Sequence, residues 1–215
     1  MILSTLFSDP IFFVLWVCAI VYGITIHEFS HVAMARALGD KTGEEHGRLT
    51  LNPLAHIDAM GFLLLLVAGF GWGRPAPFNP YQLTKIKSMK LGSAFVALAG
   101  PVSNLISIIV FVIVMRILAG AGFAQDNLLV QFCVFLIMIN TVLMVFNLLP
   151  IPPLDGSKVA YAVLPDSYEW QQRKIKWEMH GPWLLFGLII IDNFLPVSIL
   201  GVVFDWFLCL AQRFL

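Results

Sequence analysis

Two histidines four residues apart, with a glutamate directly after the first, stand at His27, Glu28 and His31. Residues four apart lie near the same face of an α-helix, so both imidazoles can bind one metal ion. The carboxylate of Glu28 lies beside that face and can take a proton from a nearby water molecule. The pattern predicts a zinc site with two histidine ligands and a glutamate as general base.

The segment around this pattern is apolar enough to cross a membrane. Residues 11–26 contain no charged side chain, and the helical pattern continues to Gly39, a plausible stop signal. We predict a helix from about Pro10 to Leu38 with the histidine pair near its C-terminal end. A charge in the bilayer centre costs about 2.5–3.5 kcal/mol, and zinc binding supplies about 10 kcal/mol in peptides. A bound metal can therefore offset the burial of these polar groups, and a mere pair of core histidines is the less favoured alternative.

The composition is that of an integral membrane protein. Of 215 residues, 59% are hydrophobic and 12% are charged, with a mean hydropathy of +0.86. The net charge is zero, which gives no electrostatic support to nucleic-acid binding. Cys18, Cys133 and Cys209 lie in separate apolar segments, and their spacing predicts neither disulfides nor a cysteine zinc site. We expect residues 1–215 to form one domain embedded in a lipid bilayer.

Two further segments are long and apolar enough to span a bilayer. They run from Leu91 to Leu118 and from Asn127 to Leu149, and with the first helix they make a three-helix core. Between the first two spans lies Arg48–Pro80, named the flap, which is rich in glycine and proline. Its apolar stretch 61–70 is too short to cross, which favours a re-entrant or interfacial segment. The flap could contain a β-hairpin, with a short strand at Arg48–Leu51.

The C-terminal part combines a polar stretch with two short apolar stretches. Ser157–His180 is polar and basic, whereas Pro182–Ile191 and Val197–Leu210 are apolar. The apolar stretches can form a pair of short helices, or one span followed by an amphipathic end. The expected fold class is an all-α integral membrane protein, with a three-helix core at about 11–165, the flap, and a C-terminal helical pair within 166–215.

A catalytic zinc site usually has three protein ligands and one open position, so the histidine pair needs a partner. Asp155 is the strongest candidate. It follows an apolar span and a proline-rich break, and Gly156 lets the chain turn close to the carboxylate. The alternative is an ordinary aspartate at a helix end on the membrane surface. Asn140 and Asn147, within the third span, can either bond between helices or contact a substrate.

Basic residues are distributed unevenly along the chain. Arg36–Lys90 holds seven and Lys158–Lys176 holds four, which together are eleven of the 13 lysines and arginines. If the second and third spans form a hairpin, both regions lie on one side of the membrane, and the positive-inside rule makes that side cytoplasmic. The predicted location is the cell membrane, with the metal site nearer its cytoplasmic face.

Three motifs together resemble those of the site-2 protease family of intramembrane zinc metalloproteases. They are HEFSH at 27–31, AGPVSN at 99–104 and NLLPIPPLDG at 147–156, in the order of that family's three-helix catalytic core. The flap is similar to that of a compact prokaryotic branch, and the chain lacks the PDZ and CBS modules of other relatives. The resemblance covers roughly residues 11–165.

The resemblance implies a zinc-dependent endopeptidase that cleaves peptide bonds in or near the transmembrane segments of other membrane proteins. One zinc ion per chain is implied, with a general base at Glu28. The implied zinc ligands are His27, His31 and Asp155. The asparagines assigned to the surroundings of the substrate or the transition state are Asn147, Asn104 and Asn140. A metal transporter using the same acidic and histidine residues is the alternative, but it should show further polar ligands and an internal repeat, which we do not find.

Overall fold

The computed structural model describes residues 6–68, 71–194 and 201–202, and within them the chain is helical, without a β-strand. Three helices, α1, α4 and α5, are long and apolar enough to cross a membrane. The predicted fold class, an all-α membrane protein, is confirmed. The helices in chain order are α1 (Pro10–Ala37), α2 (Thr42–Glu45), α3 (Ala59–Ala68), α4 (Met89–Gly120), α5 (Leu128–Asn147), α6 (Asp155–Val163) and α7 (Tyr168–Phe194).

Each long apolar helix begins at a polar residue that caps it. The Asp9 carboxylate accepts a hydrogen bond from the Phe12 N–H at 3.0 Å, with Pro10 in the first turn of α1. Ser88 caps α4 and Asn127 caps α5 in the same way, the latter through the Leu129 N–H at 2.9 Å. These caps fix where the spans start, and α1 ends at Ala37, one residue before the predicted end at Leu38.

α4 lies at the centre of the bundle and packs against α1, α5 and α6. α1 and α5 also contact each other directly, through a cluster of buried residues: Ala19, Ile20, Phe135, Leu136 and Ile139. The outer face of α4 carries apolar side chains that are about half exposed, among them Ile106, Ile109 and Ile113. A continuous apolar face of this kind is what a bilayer covers.

The flap differs from its prediction. Its apolar stretch forms the ten-residue helix α3, but the strand predicted at Arg48–Leu51 is wrong, since these residues are a loop. Pairing in the described part of the flap is limited to one antiparallel bridge between Ile57 and Gly73. A strand needs free backbone carbonyl groups, and here side chains bind two of them. The His56 ring bonds to the Thr50 carbonyl at 2.7 Å, and the Arg48 guanidinium donates to a flap carbonyl.

The C-terminal part forms one continuous helix, α7, where the sequence indicated a boundary at Pro182. Proline removes one N–H and one helical hydrogen bond. Residues 171–180 are exposed, so water can satisfy the carbonyl group that loses its partner. The second predicted apolar stretch, Val197–Leu210, lies outside the described residues except for 201–202.

Candidate metal centre

Three donor atoms from distant parts of the chain meet at one point. His27 and His31 project from the same face of α1, and Asp155 is the first residue of α6. The two histidine Nε2 atoms are 3.0 Å apart. Asp155 Oδ2 lies 3.2 Å from Nε2 of His27 and 3.1 Å from Nε2 of His31. All three side chains are buried, so the structure brings together the three residues predicted as ligands.

Hydrogen bonds fix the protonation of both imidazoles. Nδ1 of His31 faces the Val96 carbonyl oxygen at 2.7 Å, which can only accept. Nδ1 of His27 lies 2.7 Å from Oδ1 of Asn104, whose amide nitrogen donates to Asn140 at 2.8 Å. Each ring therefore carries its proton on Nδ1 and presents a lone pair on Nε2. This is the tautomer that a metal ligand requires.

The donor set fits a zinc ion. Asp155 Oδ2 is buried without a hydrogen-bond partner, and it faces two nitrogen lone pairs. Three electron-rich atoms held this close repel one another unless a cation neutralises them. Ligand atoms in a tetrahedral zinc site lie about 3.3–3.6 Å apart, since zinc–nitrogen and zinc–oxygen bonds are about 2.0–2.2 Å. The observed separations of 3.0–3.2 Å are slightly shorter than this range.

Two glycines from the recognised motifs make the centre possible. A Cβ atom on Gly100 of α4 would lie 2.5 Å from Nε2 of His31 and 2.6 Å from Cε1 of His27. A Cβ atom on Gly156 would lie 2.2 Å from the Leu148 carbonyl oxygen. Glycine is therefore required at both positions. Gly100 lets α4 pass close to the imidazoles, and Gly156 lets the chain place Asp155 against the end of α5.

The flap holds the predicted general base. Glu28 is half-buried, and its Oε2 accepts a hydrogen bond from the Ala76 N–H at 2.9 Å. Arg48 anchors this part of the flap by donating to the Arg74 carbonyl. Burial lowers the pKa of Arg48, and the negative charge of Glu28 opposes that shift. The base is therefore oriented by a backbone amide and lies in the field of a buried arginine.

A cavity of about 410 Å³ opens on these groups. Its lining includes the three donor residues, Glu28 and the flap residues Trp72 and Ala76, with apolar side chains of α1 and α5. Asn147 also lines it, and its amide donates to the Leu143 carbonyl at 2.9 Å. Lys158 lines it beside the donor cluster, with Nζ 3.8 Å from Asp155 Oδ1. The cavity thus joins a candidate metal site, a base and a polar side chain to an apolar channel.

Asn104 and Asn140 are placed differently from Asn147. Both are completely buried, and neither is among the described residues that line the cavity. They form a chain in which Asn140 donates to the Leu136 carbonyl at 2.7 Å and accepts from Asn104, which in turn holds His27. Their contacts are those of positioning residues that act through the ring of His27.

Sequence reasoning did not single out the backbone groups of Val96 and Ala76, nor the side chains of Arg48 and Lys158. Backbone groups carry no residue-type signal, so the first two could not be found from sequence. The sequence carried a weak signal for Lys158, because this residue lies three positions after Asp155 and therefore near the same helix face.

The chain is similar to three proteins whose names describe zinc metalloproteases. "Putative zinc metalloprotease YwhC" of Bacillus subtilis is 40% identical over 153 residues, covering 69% of this chain and 68% of that protein. "Putative zinc metalloprotease MJ0611" of Methanocaldococcus jannaschii is 34% identical over 163 residues, with 73% and 76% covered. "Putative zinc metalloprotease Rip2" of Mycolicibacterium smegmatis is 32% identical over 147 residues, with 67% and 55% covered. No family model and no solved structure matches the chain.

Proposed function

The chain belongs to a compact, site-2 protease-like family of zinc metalloproteases, and from this premise we propose that it is an intramembrane endopeptidase. Its substrates are membrane proteins, cleaved in or near their transmembrane segments. One observation carries the proposal: three converging donor atoms and a glutamate share a cavity inside a bundle of membrane-capable helices.

The chemistry follows from the positions of the side chains. His27, His31 and Asp155 would hold one zinc ion per chain. When bound there, zinc acidifies water and polarises a peptide carbonyl group. Glu28 takes the proton of the attacking water and passes it to the leaving amine. Asn147, at the cavity wall, is placed to hydrogen-bond the substrate backbone.

The substrate must be extended where it is cut, because a helix hides its peptide bonds in internal hydrogen bonds. The flap borders the cavity with Trp72, Gly73 and Ala76. A hydrogen bond within the flap holds this part of its backbone, since the His56 carbonyl oxygen accepts from the Arg74 N–H at 2.7 Å. An unwound substrate segment can add to the flap as a strand, which would hold its backbone beside Glu28.

A reconstituted system tests the activity directly. We expect the protein in lipid vesicles to cleave a co-reconstituted single-span protein, to stop when the metal is chelated, and to resume when zinc is restored. Cleavage that ignores chelation would contradict the zinc mechanism. Zinc flux across the vesicle wall without any cleavage would favour the transporter.

Loss of a residue that hydrogen-bonds a metal ligand typically weakens metal binding about 10–100-fold. Asp155→Ala should weaken zinc binding by more than that, because Asp155 is itself a proposed ligand. The substitution removes one of three donor atoms and leaves the histidine pair in place. Equilibrium dialysis of purified protein against buffered zinc measures the change. Asp126→Ala, at an exposed loop, is the control and should bind zinc as the wild type does. Unchanged affinity and coordination in Asp155→Ala would remove Asp155 from the site.

The two regions that carry most basic residues, Arg36–Lys90 and Lys158–Lys176, should face the cytoplasm. In a cysteine-free background, we expect Lys41→Cys and Lys174→Cys to be unreactive toward an impermeant thiol reagent in intact cells and to react after permeabilisation. Ala124→Cys, in the exposed connector between α4 and α5, should react in intact cells. The reverse pattern would place the metal site nearer the opposite face.

A further inference from the structure

A second cavity, of about 680 Å³, lies between α6 and α7. We call it the α6–α7 groove. Among the described residues, α7 contacts the segment before α6 through a hydrogen bond from Trp177 Nε1 to the Pro150 carbonyl at 3.3 Å. Gly181 also lies close against Pro152.

The residues that line the groove indicate its depth in a membrane. They include Pro150, three residues after the end of α5, and Leu184, within the apolar half of α7. Trp170 and Trp177 also line it. Tryptophan favours the headgroup region of a bilayer, because its ring is apolar and its N–H is polar. We infer that the groove lies at headgroup depth.

The charge of the groove is positive. Arg173, Lys174 and Lys176 line it, and none of the described residues that line it is acidic. Their aliphatic stems can form the wall while the charged ends remain at the rim. Arg173 lies 4.9 Å over the Trp170 ring, and Lys174 lies 4.9 Å over the Tyr161 ring. Lys174 is also 3.7 Å from Glu178, so the loss of Lys174 would leave that carboxylate uncompensated beside the groove.

A buried hydroxyl group faces this environment without a partner. The Tyr161 hydroxyl is inaccessible to solvent and makes no hydrogen bond. Burial raises the pKa of Tyr161 to about 12, with a smaller contribution from Glu178, so the hydroxyl stays protonated and can donate. A buried donor left unpaired is unfavourable. Because water does not reach this hydroxyl, an anionic oxygen would satisfy it once the side chains between α6 and α7 move apart, and it would then also neutralise the cations.

We propose that the α6–α7 groove binds an anionic phospholipid of the surrounding membrane. Its phosphate lies among Arg173, Lys174 and the Tyr161 hydroxyl, and an acyl chain lies along the apolar wall toward Leu184. A zwitterionic lipid offers the same chain but no net charge. The bound lipid covers Trp177 and Leu184, whose side chains are otherwise nearly half exposed, and fixes α7 against α6.

Native mass spectrometry of the full-length, detergent-solubilised protein tests the proposal. We expect phosphatidylglycerol to bind more tightly than phosphatidylcholine with the same acyl chains. Arg173→Gln/Lys174→Gln should weaken phosphatidylglycerol binding about 25-fold, since each basic residue near a lipid surface contributes about fivefold. The matched control is Lys85→Gln/Lys87→Gln, which removes two exposed charges outside the groove and should change binding less than about fivefold.

Tyr161→Phe separates the groove from the general surface charge. It keeps the ring and every cation and removes only the donor, so we expect about tenfold weaker binding of phosphatidylglycerol. Zinc content should be unchanged in all variants, which shows that the metal centre is intact. Equal losses in the two double variants would overturn the proposal in favour of general surface attraction. So would the absence of a preference for phosphatidylglycerol, competition by soluble glycerol phosphate, or a dimer seated on the groove instead of lipid.

Discussion

Glu28→Gln should bind zinc as tightly as the wild type and hydrolyse peptide bonds about 10²–10⁴-fold more slowly. Glutamine keeps nearly the same volume, and its carbonyl oxygen can still accept from the Ala76 N–H, which lies 2.9 Å from the native carboxylate. What it lacks is the basicity to take a proton from water. The variant therefore keeps the hydrogen bond to the flap and loses the proton transfer.

The measurement is cleavage of a reconstituted single-span protein, with bound zinc determined on the same samples. Glu45→Gln, on the exposed end of α2, is the control and should retain full activity. A transporter would behave differently, because removing a carboxylate near its ion site would change zinc affinity or flux. Near wild-type cleavage by Glu28→Gln would contradict the proposed role of Glu28 whatever the family resemblance implies.

Gly100→Ala should lose zinc affinity and activity together, although it adds one methyl group. The added Cβ would lie about 2.5 Å from His31 Nε2, which is far inside van der Waals contact. α4 is held by α1, α5 and α6, so the imidazoles must move. Moving them breaks the Nδ1 bonds to Asn104 and Val96. Overpacking costs about 1–3 kcal/mol, which corresponds to about 5- to 150-fold in zinc affinity.

Gly120→Ala provides the matched control for this prediction. It is the same substitution at the end of the same helix, where a Cβ meets no atom within 4 Å. Zinc affinity, measured by competition with a chelating dye, should be unchanged in Gly120→Ala. If Gly100→Ala bound zinc equally well, the close approach of α4 would not be what shapes the centre.

The spans and the three side chains that converge at the candidate metal site could be predicted because their signals are local. Helical periodicity placed His27 and His31 on one face, and the proline break before Gly156 marked Asp155. Flap pairing could not be predicted, since it depends on which side chains reach the backbone. His56 looked like a loop residue, yet it is completely buried and occupies the Thr50 carbonyl.

The asparagines show more clearly that the sequence alone does not reveal tertiary contacts. Asn104, Asn140 and Asn147 have the same side chain in similarly apolar helices, and the sequence cannot separate their roles. Only tertiary contacts separate their roles. Asn104 and Asn140 form a buried hydrogen-bonded chain behind His27, whereas Asn147 lines the cavity.

The continuity of α7 through Pro182 depends on solvent exposure, which the periodicity of the sequence does not reveal.

The hydrogen bonds that hold both Nδ1 atoms have a consequence for metal supply. Asn104 and Val96 both lie on α4 and hold the imidazoles of α1 through hydrogen bonds between protein groups. The buried contact between α1 and α5 is apolar and uses other residues. If His27, His31 and Asp155 hold zinc as proposed, folding and metal loading would be separate events, unlike in small domains that fold only around zinc. Zinc would then be exchangeable during the life of the protein. The active fraction would follow the ratio of free zinc to the dissociation constant, so a change in zinc concentration in the cell would switch molecules on or off without new synthesis.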